Sequence, residues 1–138
     1  MRALMVTAVD SSSLIDVLTN DPTHGLNSLR ALRTAASVGA LIVCPVVWGE
    51  LRGMFDDGVL MQRALAEANI VFDPFDRECA DLAGSVWSEY RRRGGSRPRI
   101  IADFFIAAHA RVRGGRLITR DRGFYRSYFS GLEIIGDG

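Results

Sequence analysis

The chain has no lysine, so every one of its 17 basic side chains is an arginine. A phosphate-binding P-loop needs a Gly-Lys-Ser/Thr step, which excludes that class of nucleotide enzyme. Phosphotransfer sites of the receiver and haloacid-dehalogenase kinds also set an Asp after a first strand, and they too need a lysine that is missing. Cysteine is scarce. Cys44 and Cys79 stand 35 positions apart without a Cys-x-x-Cys step, which reads as two buried thiols rather than a disulfide or zinc site. No apolar run approaches the length of about 18 residues that a membrane-spanning helix needs. Ala3–Val9 is too short for the core of a secretion signal, and Asp10 ends it, so the reading is a first core strand of a cytoplasmic protein. No internal repeat, low-complexity tract or linker interrupts residues 1–138. They read as one domain, and at 48% hydrophobic they can fill a two- or three-layer core.

The net charge of +1 hides an asymmetry. Residues 1–90 hold 6 arginines against 12 acids, and residues 91–138 hold 11 against 4, so the two parts carry −6 and +7. A basic face of that size is either a solvated surface or the footprint of a polyanion.

Short apolar runs alternate with helical patterns. Leu4–Val9, Leu41–Cys44, Ile70–Phe72, Arg116–Thr119 and Leu132–Ile135 read as strands. Ser11–Ser13 offer N-caps to a helix carrying Leu14, Ile15, Val17 and Leu18, and Leu26–Ala36 is amphipathic. Pro45 opens a helix through Met54, another spans Val59–Ala68, and Asp76 caps a long one over Arg77–Arg93. A short helix covers Phe124–Phe129. Such alternation predicts an α/β fold, three-layer α/β/α, around a mainly parallel sheet of four to five strands.

The run Ile100–Ala110 reads as a buried helix with Asp103 inside its apolar stretch, Pro98 in its first turn and Gly114-Gly115 at its end. A carboxylate buried alone is expensive, so Asp103 must be paired, protonated or bound to a cation. Asp10 ends the first strand and Asp121 follows the fourth. Carboxyl ends of neighbouring parallel strands share an edge, so these two can meet Asp103 there, with Glu50 leaning in from the helix after the second strand. Carboxylates so gathered repel one another. One or two divalent cations relieve this, and all-oxygen ligands favour Mg²⁺ or Mn²⁺ over zinc. Such a centre activates water for phosphodiester hydrolysis.

Val9-Asp10-Ser11-Ser12, Trp48-Gly49-Glu50-Leu51, Asp103-Phe104-Phe105-Ile106-Ala107-Ala108-His109-Ala110 and Leu117-Ile118-Thr119-Arg120-Asp121-Arg122-Gly123-Phe124 together resemble the PIN-domain signature. In order and spacing they are similar to the VapC-type toxins of bacterial toxin–antitoxin pairs, over essentially the whole chain. The resemblance implies a divalent-metal-dependent endoribonuclease with Asp10, Asp103 and Asp121 as metal ligands and Glu50 completing the catalytic set. It also implies a small antitoxin whose tail blocks the site, with DNA touched only through that antitoxin. The apolar helix Leu26–Ala36 offers a partner or homodimer surface, and the lack of a long apolar run leaves no membrane association expected. Thr119 and Ser12 match the family's hydroxyl positions beside the acids. Arg99, Arg120 and Arg122 are placed for RNA phosphate contacts or for pairing behind the ligands. Two rival readings are a non-catalytic RNA-binding module of the same fold and a metal-dependent phosphatase. His109, six residues past Asp103 at about 100° per residue, falls on the far side of its helix and reads as packed or surface. Asp16 reads as a solvated charge.

Overall fold

The computed structural model describes residues 5–96, 101–120 and 122–136. β1 (Met5–Val9), β2 (Gly39–Val43), β3 (Ile70–Phe72), β4 (Arg116–Ile118) and β5 (Glu133–Ile135) form one sheet in the order β3-β2-β1-β4-β5. Every pairing is parallel. On β1 the consecutive residues Thr7, Ala8 and Val9 are all buried, and on β2 so are Leu41, Ile42 and Val43. A strand buried at odd and even positions alike is covered on both faces, which is the three-layer arrangement the alternation predicts.

The chain leaves β1 through α1 (Ser11–Leu18) and α2 (Gly25–Ala36), lays down β2, and reaches the sheet edge at β3 through α3 (Pro45–Arg52) and α4 (Gly58–Glu67). It then returns through α5 (Arg77–Arg92) and α6 (Ala102–Arg113) to put β4 against the other side of β1, and ends with α7 (Arg122–Tyr128) and β5. The direction of winding therefore reverses between β1 and β4. At such a switch point the connections diverge to opposite sides and leave a crevice outside the carboxyl ends of the two strands. Asp10 and Thr119 stand there, each one residue past its strand, with the Asp10 N–H donating to the Ile118 carbonyl at 2.9 Å.

Local chemistry explains most boundaries. Pro45 occupies the first turn of α3, and Asp76 caps α5 by accepting from the Cys79 N–H at 3.0 Å. Gly114 ends α6 and Gly115 follows at φ +76°, a backbone region that favours glycine. Two expectations change. The N-cap position of α1 is Asp10, not one of the serines, and its side chain makes no capping bond. The α6 helix begins at Ala102, so Asp103 lies in its first turn, half-buried, rather than inside the run; Pro98 and Ile100 lie outside the described residues. Beyond Asp103 the helix is covered as its apolar run predicts, with Phe104 and Ile106–Ala110 buried. Around Phe104 the rings of Tyr90, Phe124 and Phe129 join α5, α6 and α7.

Candidate active site

Asp10 is buried at 6% exposure. Thr119 Oγ1 donates to its Oδ2 at 2.7 Å, Ser12 Oγ to the same oxygen at 3.3 Å, and Ser11 Oγ stands 3.4 Å from Oδ1. These donors are all neutral hydroxyls, and among the described residues Asp10 has no ion pair. Burying a carboxylate without a cationic partner is costly, and neutral donors offset only part of that cost. The N-terminus of α1 adds some positive potential behind it.

Glu50 is exposed on α3, and its Oε1 accepts from Ser11 Oγ at 3.0 Å. One hydroxyl proton cannot serve both carboxylates, and the shorter path leads to Glu50. Ser11 thus bridges the two acids, a role the sequence reading gave to no residue. Only its position directly after Asp10 could have suggested it. Asp103, in the first turn of α6, stands 3.5 Å from the Tyr125 hydroxyl, a fully buried partner from α7 that was also missed. Asp121 and Arg99 lie outside the described residues, and Arg122 opens α7.

Arg120 and Asp16 differ most from expectation. Asp16 is not solvated; it is 2% exposed, accepts from Ser28 Oγ at 2.9 Å, and is ion-paired with Arg120 Nε at 2.7 Å. The backbone N–H of Arg120 in turn stands 3.4 Å from Ser12 Oγ. His109 faces away from Asp103, as expected, and is fully buried with Nε2 at 2.7 Å from Asp73 Oδ2.

Oxygen donors dominate the crevice. Cys44, just past β2, is buried, and burial pushes its thiol up with the Asp10 charge adding to the effect, so it stays a protonated thiol. Carboxylates and hydroxyls without imidazole or thiolate suit a hard divalent cation rather than zinc. Among the described residues no group of three or more His, Cys, Asp or Glu could hold a metal ion.

The chain is thus an all-parallel α/β domain with an aspartate buried at the switch point and without an ion pair among the described residues. The profile of the PIN domain matches residues 7–130, and the chain belongs to that family. Among curated proteins none matches the chain in sequence. Several solved structures share its fold. VapBC2 from Rickettsia felis, bound to a DNA fragment from its promoter, aligns with a TM-score of 0.74 at 16% identity, covering 97% of this chain and 100% of that one. VapBC-1 from nontypeable Haemophilus influenzae gives 0.69 at 18%, covering 94% and 96%. VapC20 of Mycobacterium tuberculosis, a toxin that cleaves the sarcin-ricin loop, gives 0.60 at 15%, covering 92% and 98%. At such identities the likeness is one of fold. No helix among the described residues is long and apolar enough to cross a membrane.

Proposed function

We propose that this protein is a cytoplasmic, divalent-metal-dependent endoribonuclease that acts as a VapC-type toxin and is restrained by a small cognate antitoxin. The observation that carries the reading is Asp10, buried at the β1–β4 crevice with hydroxyl donors and no ion pair among the described residues. Mg²⁺ or Mn²⁺ held by Asp10, Asp103 and Asp121, with Glu50, would acidify a water and offset charge on the phosphoryl oxygens. Thr119 fixes the Oδ2 side of Asp10, and Ser11 holds Glu50 toward the same edge. Arginines of the basic C-terminal part grip the RNA backbone.

An apolar groove of about 460 Å³ between α1, α2 and α4, lined by Leu14, Val17, Leu29, Leu32 and Leu65, fits the hydrophobic face of a partner helix. An antitoxin seated there would be the part of the complex that touches DNA. Val71 and Phe72 are exposed on the edge strand β3, the face a homodimer would cover. The test is cleavage of RNA by the purified protein with chelator and with Mg²⁺ restored. Cleavage only with metal, leaving 5′-phosphate ends, is expected. Cleavage that persists in chelator, or ends carrying a 2′,3′-cyclic phosphate, overturns the mechanism. Binding without cleavage would favour the non-catalytic module, and turnover of a chromogenic phosphate ester in place of RNA the phosphatase.

A further inference from the structure

Arg120 follows Thr119 directly, so its backbone belongs to the segment that delivers the hydroxyl to Asp10. Its side chain runs across to α1 and meets Asp16, which is buried and also takes the Ser28 hydroxyl. If Asp16 were only a charge to be neutralised, the strongest arrangement would be a side-on, two-pronged pairing, with two parallel N–H···O bonds. The contact here is made at Nε, 2.7 Å from Asp16 Oδ2, and no two-pronged hydrogen bond joins the pair among the described residues. The guanidinium makes no aligned hydrogen bond among the described residues, and the side chain remains 37% exposed. Among the described residues its η N–H groups make no hydrogen bond, though the Asp21 charge is near enough to interact with the guanidinium.

We infer that Arg120, held by buried Asp16, is a preset contact for an RNA backbone phosphate at the rim of the Asp10 crevice. The inference rests on the ribonuclease reading and deepens it. The crevice is acidic, with Asp10 and Glu50 joined through Ser11, so an incoming phosphodiester needs a fixed cation nearby. A guanidinium matches two phosphate oxygens in its own plane. Because Asp16 already restrains the side chain, binding loses little further rotamer freedom. The phosphate engaged lies beside the scissile one, since Asp16 is on the second turn of α1 and Asp10 is at its start. Arg120 is in this sense a positioning residue: it sets where the strand lies, not the bond that breaks.

The test is RNA binding by the full chain, read by anisotropy of a short fluorescein-labelled single-stranded RNA across a salt series. Ca²⁺ replaces Mg²⁺ to fill oxygen sites. For single strands, each phosphate neutralised contributes about 0.7 to the slope of log affinity against log salt. Arg120→Ala would leave Asp16 buried without its cation and risks the fold. The informative protein is therefore the charge-neutral double variant Asp16→Asn with Arg120→Gln, which keeps both hydrogen-bonding groups and the net charge. Its slope should be shallower by about 0.7 and its affinity about tenfold weaker, the loss of one charge-assisted contact, while its melting temperature stays near the parent's. A double variant that binds with the parent's slope and affinity makes Arg120 a structural partner of Asp16 only, and sinks the inference alone. A parent that binds no RNA overturns the inference and the ribonuclease reading together. A parent that binds with the expected slope but cleaves nothing in Mg²⁺ overturns the ribonuclease reading and leaves the phosphate contact standing.

Discussion

Thr119 has one hydroxyl proton, and at 2.7 Å it goes to Asp10 Oδ2, with the next donor, Ser12, at 3.3 Å. Thr119→Val keeps the shape and removes the closest donor to a buried carboxylate. That should destabilise the protein by about 1–3 kcal/mol. It should also slow cleavage by about 10- to 100-fold, the usual effect of losing a group that orients a metal ligand. Thr119→Ser should retain most of both. Denaturant titration and initial rates check this, and a Val variant equal to the parent would reduce Thr119 to a strand residue. The same scale shows what single residues disclose. An acid ending an apolar run is by itself as readily a helix cap, so Asp10 stood out only beside Asp103 and Asp121, and its burial at the β1–β4 edge came from the fold. Asp16 did not stand out, because its partner Arg120 stands 104 positions away and nothing local distinguishes a paired carboxylate from a solvated one. Ser11 and Tyr125 were hidden for a related reason: a hydroxyl finds its partner through the fold, and Tyr125 meets Asp103 only once α7 packs on α6.

Helix α6 is tied to the loop after β3 by a set of charges on its far side. His109 Nε2 and Arg113 Nε both meet Asp73 Oδ2, at 2.7 and 2.6 Å, and Arg113 also reaches Asp76 at 3.0 Å and the Pro74 carbonyl at 3.0 Å. Burial pushes the His109 imidazole below its usual range, and the Asp73 carboxylate offsets this only in part. A lowered folded value means that the unfolded chain binds the proton more readily. Stability is therefore full above about 6.5, the unfolded histidine value, and falls as pH drops below it. Asp76 gives a second, more acidic limb. The backbone N–H of Cys79, then Arg113, hold its carboxyl at about 2, so its contribution is present above 3.8 and lost between 3.8 and about 2. Melting temperature against pH should show both limbs. In His109→Gln, which keeps a donor toward Asp73 but cannot titrate, the first limb should vanish while the second stays; its persistence would reject the assignment. Element types and most element ends were readable from periodicity, Pro45, Asp76 and Gly114. The start of α6 was not, because the apolar run continues upstream of Ala102 and periodicity cannot say where the first helical turn closes.

At the scale of the molecule, a parallel sheet followed from the alternation of runs, but strand order did not. Nothing in the sequence of β4 says that it pairs with β1 rather than with β3, and only that choice puts Thr119 beside Asp10. The order would also link stability to the proposed metal. A cation held by Asp10, Asp103 and Asp121, as proposed, would draw its ligands from three separate segments, so it would bind the folded chain and not the unfolded one. Carboxylates that share such a site repel one another without metal, so on the proposed reading Asp103→Asn should melt in chelator at the parent's temperature or above it. Mg²⁺ at about ten times its dissociation constant should stabilise the parent by roughly 1.4 kcal/mol, since a ligand of the folded state alone adds RT ln(1 + [L]/Kd). The variant should gain little. Melting curves of both proteins, with chelator and with Mg²⁺, need neither substrate nor antitoxin. Equal shifts in the two, or none in the parent, would mean that these carboxylates share no ion, and the ribonuclease reading would lose its chemical basis.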